Sequence, residues 1–154
     1  MNWINIGWWL VYICLAVIFQ ALFPGLDFML PGFILAIQER EPVQLGWVAL
    51  VFILLQEGMG NMGFGGSLLW YSLAVVFFFL GYSLFEVESF LFIFLLSGCL
   101  AFLHFVVFSL MASLQDTPFS GNALMEEAVV QALITPFIWL GLRFTRKLVR
   151  HADA

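Results

Sequence analysis

The stretch "LDFMLPGFILAIQEREPVQLGWVALVFILLQ", residues 26–56, decides how many times the chain can cross a membrane. It contains two apolar runs, each shorter than the roughly 20 residues that a helix needs to span about 30 Å of hydrocarbon. Between them, "QEREP", residues 38–42, carries Glu39, Arg40 and Glu41. A re-entrant hairpin would leave these charges near the middle of the bilayer, at a cost of about 3 kcal/mol each. We therefore predict two short or tilted crossings.

The chain as a whole is too apolar for a water-soluble domain. Of its 154 residues, 64% are hydrophobic and only 10% are charged, so we expect lipid to solvate its surface. The first apolar run has no basic residue before it and no small-x-small site after it, and we expect it to be retained as a helix. Besides the two short runs there are four longer ones, at about residues 3–23, 67–85, 90–114 and 123–142. These patterns predict an all-α integral membrane protein with about six transmembrane helices, two of them short or broken.

The basic residues predict the orientation. They lie in the "QEREP" turn and after the last apolar run: Arg40, Arg143, Arg146, Lys147 and Arg150. Six crossings place all of them, and both termini, on one side, which the excess of Lys and Arg marks as cytoplasmic. We predict one polytopic membrane domain, residues 1–142, followed by a basic cytoplasmic tail, residues 143–154. The net charge of −5 and the lack of a basic patch outside that tail argue against nucleic acid as a partner.

A carboxylate followed by a glycine-rich stretch separates the second short run from the next helix. Six crossings place the carboxylate, Glu57, at the outer end of the third segment. Three roles are open for it: accepting hydrogen bonds from the turn, pairing with a partner or a neighbouring helix, or serving transport within the membrane. Glycines permit positive φ and close backbone approach, so we expect a shaped turn packed against other helices. They are Gly58, Gly60, Gly63, Gly65 and Gly66.

Three polar side chains in the later runs are candidates for buried positions. His104 shares a helix face with Ser97 and Ala101, which predicts a hydrogen-bonded packing residue that points into the bundle. In the last run, Glu127 and Gln131 are four residues apart on one slowly drifting stripe. We expect Gln131 to form interhelical hydrogen bonds, and Glu127 to lie in the first turn, where it compensates the helix dipole.

Signatures of catalysis are incomplete. "GFGGSLLW" lacks the glycine that a rhomboid-like serine protease needs after its nucleophile, here Ser67. "EEAVVQ" begins like the paired-glutamate motif of intramembrane prenyl-protein proteases but has Gln131 where that motif needs Arg. The second histidine, His151, lies in the tail and gives no paired haem ligation. We predict no enzymatic activity, no metal and no cofactor.

Three segments resemble the rod shape-determining protein MreD family. "GWVALVFILLQEGMGNMGFG", residues 46–65, is similar to the glycine-rich segment at that family's third helix, with Glu57 at its acidic position and Gly60 and Gly65 near its glycines. "FPGLDF", residues 23–28, is similar to a Pro-Asp-like turn before the second helix. "ALITPFIWLGLRFTRKLVR", residues 132–150, is similar to the closing helix and Arg-rich tail.

The resemblance implies a non-enzymatic scaffold of the cell-wall elongation machinery in the bacterial inner membrane. Its partners would be an MreC-like protein and, through it, MreB filaments and the pair of RodA and a class B penicillin-binding protein. Helix packing would bind these partners, and the basic tail would contact membrane lipids.

Two other classes of function remain open. Short, broken helices and a buried histidine also suit a substrate-binding membrane subunit of a small-molecule transporter. Such a subunit should gather aromatic and polar residues into one pocket, for which the candidates are Trp47, Trp70, Tyr71, His104 and Gln131. The third class is an accessory membrane subunit of a respiratory complex.

Overall fold

The structure, a computed structural model, describes residues 3–59, 65–114, 116, 118 and 120–152. Residues 150–152 are described by their backbone only. These residues form an all-α fold, as predicted, without a β-strand in the described ranges. The helices are α1 (Trp3–Leu22), α2 (Leu30–Glu39), α3 (Pro42–Gly58), α4 (Gly66–Tyr82), α5 (Phe90–Leu114) and α6 (Gly121–Ala152).

Three helices are long and apolar enough to cross a membrane, which is consistent with a membrane protein. They are α1, α5 and, within α6, Gly121–Val149. The other three are apolar but shorter, with 10 residues in α2 and 17 in each of α3 and α4. Length and composition therefore identify three spans among the described residues, whereas the sequence patterns predicted about six.

Prolines and a left-handed residue form the turn at residues 38–42. Pro31 lies in the first turn of α2, and Pro42 opens α3, positions where the missing N–H costs nothing. Arg40 ends α2 at a φ of 55°, and its backbone N–H donates to the Ile37 carbonyl at 3.2 Å. The charged "QEREP" stretch is thus a tight turn between two helices.

Side-chain contacts show that successive helices run in opposite directions. Asn5 near the start of α1 donates to Gln44 near the start of α3 at 3.0 Å. Arg40, at the end of α2, donates to Tyr82 at the end of α4. Near the end of α6, Arg143 bonds Glu88, just before the start of α5. We name this the basic end of the bundle, since it carries Arg40, Arg143 and Arg146.

Aromatic side chains fill the core, and apolar side chains also cover the outside. Phe33, Phe52 and Tyr71 are at most 2% exposed, and the rings of Phe33 and Tyr71 lie 4.8 Å apart. On the exterior, Phe102 is 71% exposed and Phe137 65%. A surface this apolar is suited to contact with lipid or other apolar partners.

The last helix differs from the prediction at both ends. α6 begins at Gly121, so Glu127 lies six residues in, beyond the first turn where the dipole effect is strongest. At its other end α6 continues without a break through Ala152, and Arg146 is only 6% exposed. Residues 143–152 of the segment predicted as a tail therefore form the last turns of a packed helix.

We expect Gly32→Ala to destabilise the protein, because α1 and α2 touch at this residue. A Cβ on Gly32 would lie 2.1 Å from Cε1 of Tyr12, whose ring is 7% exposed. Overpacking of this kind costs about 1–3 kcal/mol. Thermal unfolding in detergent, followed by tryptophan fluorescence, measures the change. Gly46→Ala, with nothing within 4 Å of the new Cβ, is the control and should raise stability by up to about 1 kcal/mol. Equal melting of the two variants would contradict the close contact of α1 with α2.

Candidate functional site

The connection between α1 and α2 folds into the bundle, and its backbone groups have side-chain partners. The Tyr12 hydroxyl donates to the Phe28 carbonyl at 2.7 Å and accepts from the Gly32 N–H at 3.0 Å. Gln131 on α6 pairs with both backbone groups of Asp27, accepting from its N–H at 2.7 Å and donating to its carbonyl at 2.9 Å. Irregular backbone is tolerated inside a membrane protein when it is buried and satisfied in this way.

The carboxylate of Asp27, a residue only 7% exposed, is the centre of this region. Its two oxygens accept hydrogen bonds from five uncharged donors. These are Met29 N at 2.9 Å, Leu30 N at 3.1 Å, Gln56 Nε2 at 2.9 Å, Trp70 Nε1 at 3.1 Å and the Tyr71 hydroxyl at 3.2 Å. Several donors converging on one carboxylate satisfy the acceptor capacity of both of its oxygens. Through Met29 N and Leu30 N, the carboxylate also satisfies two backbone donors at the start of α2.

Asp27 connects five of the six described helices: α2, α3 and α4 supply donors to its carboxylate, α6 bonds its backbone through Gln131, and α1 reaches it through Gln56. Gln20 of α1 donates to Gln56 Oε1 at 2.6 Å, and Gln56 in turn donates to Asp27. We call the following residues the Asp27 cluster: Gln20, Asp27, Gln56, Trp70, Tyr71 and Gln131. The remaining helix, α5, contributes His104, whose ring packs edge-on against Trp70 with 5.2 Å between centroids.

A partly open cavity of about 340 Å³ lies beside the Asp27 cluster, within the size range of small-molecule sites. The aromatic rings of Trp70 and Phe108 form part of its wall. The polar residues that line it are Gln20, Asp27, Gln56, Ser67, His104 and Glu127.

Two buried polar groups in the cavity wall, His104 and Ser67, have no hydrogen-bond partner in the part of the chain that the structure describes. His104 is 3% exposed and stacks on Phe108 with 4.1 Å between ring centroids, but neither ring nitrogen is bonded within the described part of the chain. Ser67 is fully buried, and its hydroxyl is likewise unbonded there. We expected His104 to be buried and hydrogen-bonded; it is buried, but the hydrogen bonds are missing. Buried polar groups without partners are uncommon and call for an explanation.

Glu127 lies over the Pro24-Gly25 turn at the edge of the cavity. A Cβ on Gly25 would lie 2.4 Å from Cδ of Glu127, and Gly25 has a φ of +97°, so this position requires glycine. Glu127 is partly buried, whereas its neighbour Glu126 is exposed. The two residues of the predicted stripe on α6 therefore have different surroundings. Gln131 binds the Asp27 backbone, and Glu127 borders the cavity.

Glu57 closes the connection between α3 and α4. Its Oε1 accepts a hydrogen bond from the Gly65 N–H at 2.9 Å. Gly65 has a φ of +83° and directly precedes α4, while Gly58 ends α3 with open space around it. Gly60 and Gly63, which we expected to shape this turn, lie outside the described residues. The hydrogen bond fits the first of the three roles for Glu57 and leaves the other two open.

At the basic end, Arg146 forms a buried ion pair with Glu39. The Arg146 Nε lies 2.6 Å from Glu39 Oε1 and its Nη2 3.0 Å from Oε2, and the two side chains are 7% and 5% exposed. The guanidinium lies near the rings of Trp8 and Trp9, at 5.0 and 5.7 Å from their centroids. Arg146, predicted to set topology, is thus also part of the packing between α6 and the first two helices.

The other basic residues surround this ion pair. Arg143 pairs with Glu88 and lies 5.2 Å from the ring centroid of Trp139. Arg40 is exposed and lies 4.8 Å from the ring centroid of Tyr82. Lys147 is exposed as well, and the Arg150 side chain lies outside the described residues.

Sequence reasoning identified part of the site and missed its centre. Of the five pocket candidates, His104 and Trp70 line the cavity, while Tyr71 and Gln131 bond Asp27. Trp47 instead packs against Trp9, 6.0 Å away. Asp27, Gln56 and Glu39 were not singled out as site residues. A usable signal was the presence of Gln20 and Gln56 within apolar runs, since buried amides in a helical bundle need partners on other helices.

The cavity offers hydrogen-bonding groups and negative charge rather than an assembled catalytic group. Ser67 and His104 do not bond each other. In the described part of the chain no three His, Cys, Asp or Glu side chains are arranged to hold a metal ion. Neither a protein-family model, a curated protein nor a solved structure matches the chain. The site must therefore be interpreted from its own chemistry.

We expect Asp27→Asn to destabilise the fold. The substitution replaces one accepting carboxylate oxygen with an NH₂ group, which would then face N–H or O–H donors of the cluster. Each buried group left without a partner costs about 1–3 kcal/mol, so a loss of at least about 2 kcal/mol should appear in thermal unfolding. Asp116→Asn is the matched control, since Asp116 is exposed and Asn tolerates its φ of 49°. Similar melting of both variants would show that the fold does not depend on the Asp27 carboxylate.

We expect Glu39→Ala to leave the Arg146 charge buried and uncompensated. Removing one partner of a buried ion pair costs about 3–5 kcal/mol, which the same unfolding measurement resolves. Glu41→Ala removes an exposed carboxylate two residues away and should change stability by less than about 0.5 kcal/mol. A small effect at Glu39 would indicate that Arg146 reaches solvent.

Proposed function

We propose that this chain is a non-enzymatic scaffold protein of the bacterial inner membrane that acts in cell-wall elongation, as its resemblance to the MreD family implies. The observation that supports this most is the position of Asp27. It lies in "FPGLDF", the segment similar to that family's Pro-Asp-like turn, and it joins five helices through its hydrogen bonds and those of Gln131 and Gln56. An acidic residue in this turn thus has a structural task that suits a rigid scaffold.

In this proposal the bundle crosses the membrane six times, with both termini and the basic end in the cytoplasm. The alternating helix directions favour it, as do the charges of residues 39–41 at one end of the bundle. α3 and α4, at about 1.5 Å per residue, each rise about 25 Å, which a locally thinned bilayer accommodates. α2 is shorter, but the partly buried connection of residues 23–29 extends its crossing. The Arg residues at the basic end set the orientation.

The proposed partners bind through helix packing on the apolar exterior. An MreC-like protein would be the direct partner, and MreB filaments, RodA and a class B penicillin-binding protein would follow through it. Large exposed side chains such as Phe102 and Phe137 supply contact area for transmembrane helices or lipid. Lys147, exposed beside the buried ion pair, supplies charge for anionic lipid headgroups.

The cavity favours a second candidate, a substrate-binding subunit of a small-molecule transporter. His104 and Trp70 line it, and Tyr71 and Gln131 lie directly behind Asp27. Such a subunit would work with a pair of ATP-binding cassette subunits, which the scaffold does not require.

Affinity purification of the tagged protein from its native membranes in mild detergent distinguishes the two candidates. We expect mass spectrometry to recover an MreC-like protein together with RodA or a penicillin-binding protein. Recovery of ATPase subunits without these partners would contradict the scaffold and support the transporter subunit. Recovery of redox subunits would contradict both.

Variants of Glu57 separate its role in the turn from a role in partner binding. Glu57→Gln keeps an oxygen that can accept the Gly65 N–H but removes the charge, whereas Glu57→Ala removes both. If a partner pairs with the charge, we expect both variants to lose that partner in the purification. Loss with Glu57→Ala alone would assign Glu57 to the turn, and no loss with either would remove it from the interface.

A further inference from the structure

The cavity beside the Asp27 cluster has an uneven distribution of charge. Its lining includes the carboxylates of Asp27 and Glu127, and of the described residues that line it none is Lys or Arg. The basic side chains that the structure describes lie instead at the basic end. A partly enclosed space that is lined by carboxylates and by no described Lys or Arg attracts a cation.

Unpaired acceptors lie in the same wall. The two ring nitrogens of His104 and the hydroxyl of Ser67 are buried and have no partner among the described residues. A neutral imidazole offers one acceptor nitrogen, and a serine hydroxyl offers lone pairs as well as one donor. An occupant that carries several N–H donors would satisfy the acceptor nitrogen of His104 and the Ser67 oxygen, and a polar substituent on the occupant would accept from the His104 N–H.

The aromatic walls restrict the class of cation. Trp70 and Phe108 give the cavity an apolar and π-rich surface, which suits an organic group and an adjacent ammonium. A bare metal ion fits less well, because no set of three potential metal ligands occurs in the described ranges. The volume of about 340 Å³ is ample for a small organic molecule.

We propose that this cavity is a binding site for a small organic ammonium ion, with the ammonium group between Glu127 and the Asp27 cluster and the organic group against Trp70 and Phe108. His104 and Ser67 accept hydrogen bonds from the ammonium or donate to a polar substituent. The site goes beyond the scaffold function and does not depend on which partners bind the exterior.

The test uses the full chain in phospholipid nanodiscs at pH 7.5, with benzylamine, which is cationic at this pH, as the probe. Benzyl alcohol and benzoate are the neutral and anionic controls of similar shape, and empty nanodiscs correct for partition into lipid. We expect benzylamine to raise the unfolding temperature in a saturable manner and to give a calorimetric binding isotherm. Benzyl alcohol and benzoate should do neither. Absence of stabilisation by benzylamine, or equal stabilisation by benzoate, would overturn the proposal.

Neighbouring carboxylates provide a matched pair of variants. Glu127→Gln should weaken benzylamine binding by up to about fivefold, since a partly screened charge contact contributes up to about 1 kcal/mol. Glu126→Gln should leave binding unchanged, because Glu126 is exposed and does not line the cavity. Equal affinity of the two variants would remove Glu127 from the site and contradict the proposed position of the ammonium.

His104→Phe separates binding from folding. Phenylalanine keeps the stacking on Phe108 and removes two buried nitrogens that have no partner among the described residues, so the unliganded protein should be at least as stable as the parent. Benzylamine should nevertheless bind at least about tenfold more weakly, as expected when a ligand loses one well-formed hydrogen bond to a buried group. Binding at the parental affinity in a stable His104→Phe protein would show that the histidine does not face the ligand.

Discussion

The fold depends on a buried carboxylate whose hydrogen-bond donors, among the described residues, are all uncharged. Asp27 accepts five hydrogen bonds, and each comes from an uncharged backbone or side-chain donor. Moving a carboxylate out of water is costly, so the arrangement is stable only when every donor is in place. The donors belong to different helices, and their positions are therefore fixed relative to one another. This one requirement gives apolar helices, which otherwise could slide past each other, a single register.

A second charged contact fixes the other end of the bundle by different physics. Arg146 and Glu39 neutralise each other directly, and Trp8 and Trp9 surround the guanidinium. A bidentate pair specifies direction as well as distance, because the planar guanidinium matches the carboxylate. Because polar contacts at both ends determine which helices pair and in which register, the aromatic core between them needs only to fill the space between the helices.

The sequence predicted the helices well and the polar contacts poorly. Apolar runs bounded by Pro, Gly and charge predicted the first five helices within a few residues, because length and hydropathy are local properties. The sixth helix continues to Ala152, well past its predicted end at residue 142. Glu57 was predicted as a site residue because it is the acidic residue beside the glycines, and within the described ranges its carboxylate bonds the backbone at the start of α4. Asp27, which joins five helices, lies in a short turn, and its partners Gln56 and Gln131 are 29 and 104 residues away. Pairings over such distances are set by tertiary packing, which a single sequence does not reveal.

The long separation of these partners has a consequence for how the protein is made. Asp27 and Glu39 emerge from the ribosome well before α6, which supplies Gln131 and Arg146 from 104 and 107 residues further on. Until α6 is made, Asp27 lacks the Gln131 amide that bonds its backbone, and Glu39 lacks the positive charge of Arg146. The early helices therefore remain incompletely paired during synthesis, and their final assembly coincides with insertion of the last helix. Biogenesis of this bundle should depend on an insertase or chaperone that shelters polar groups in the nascent chain.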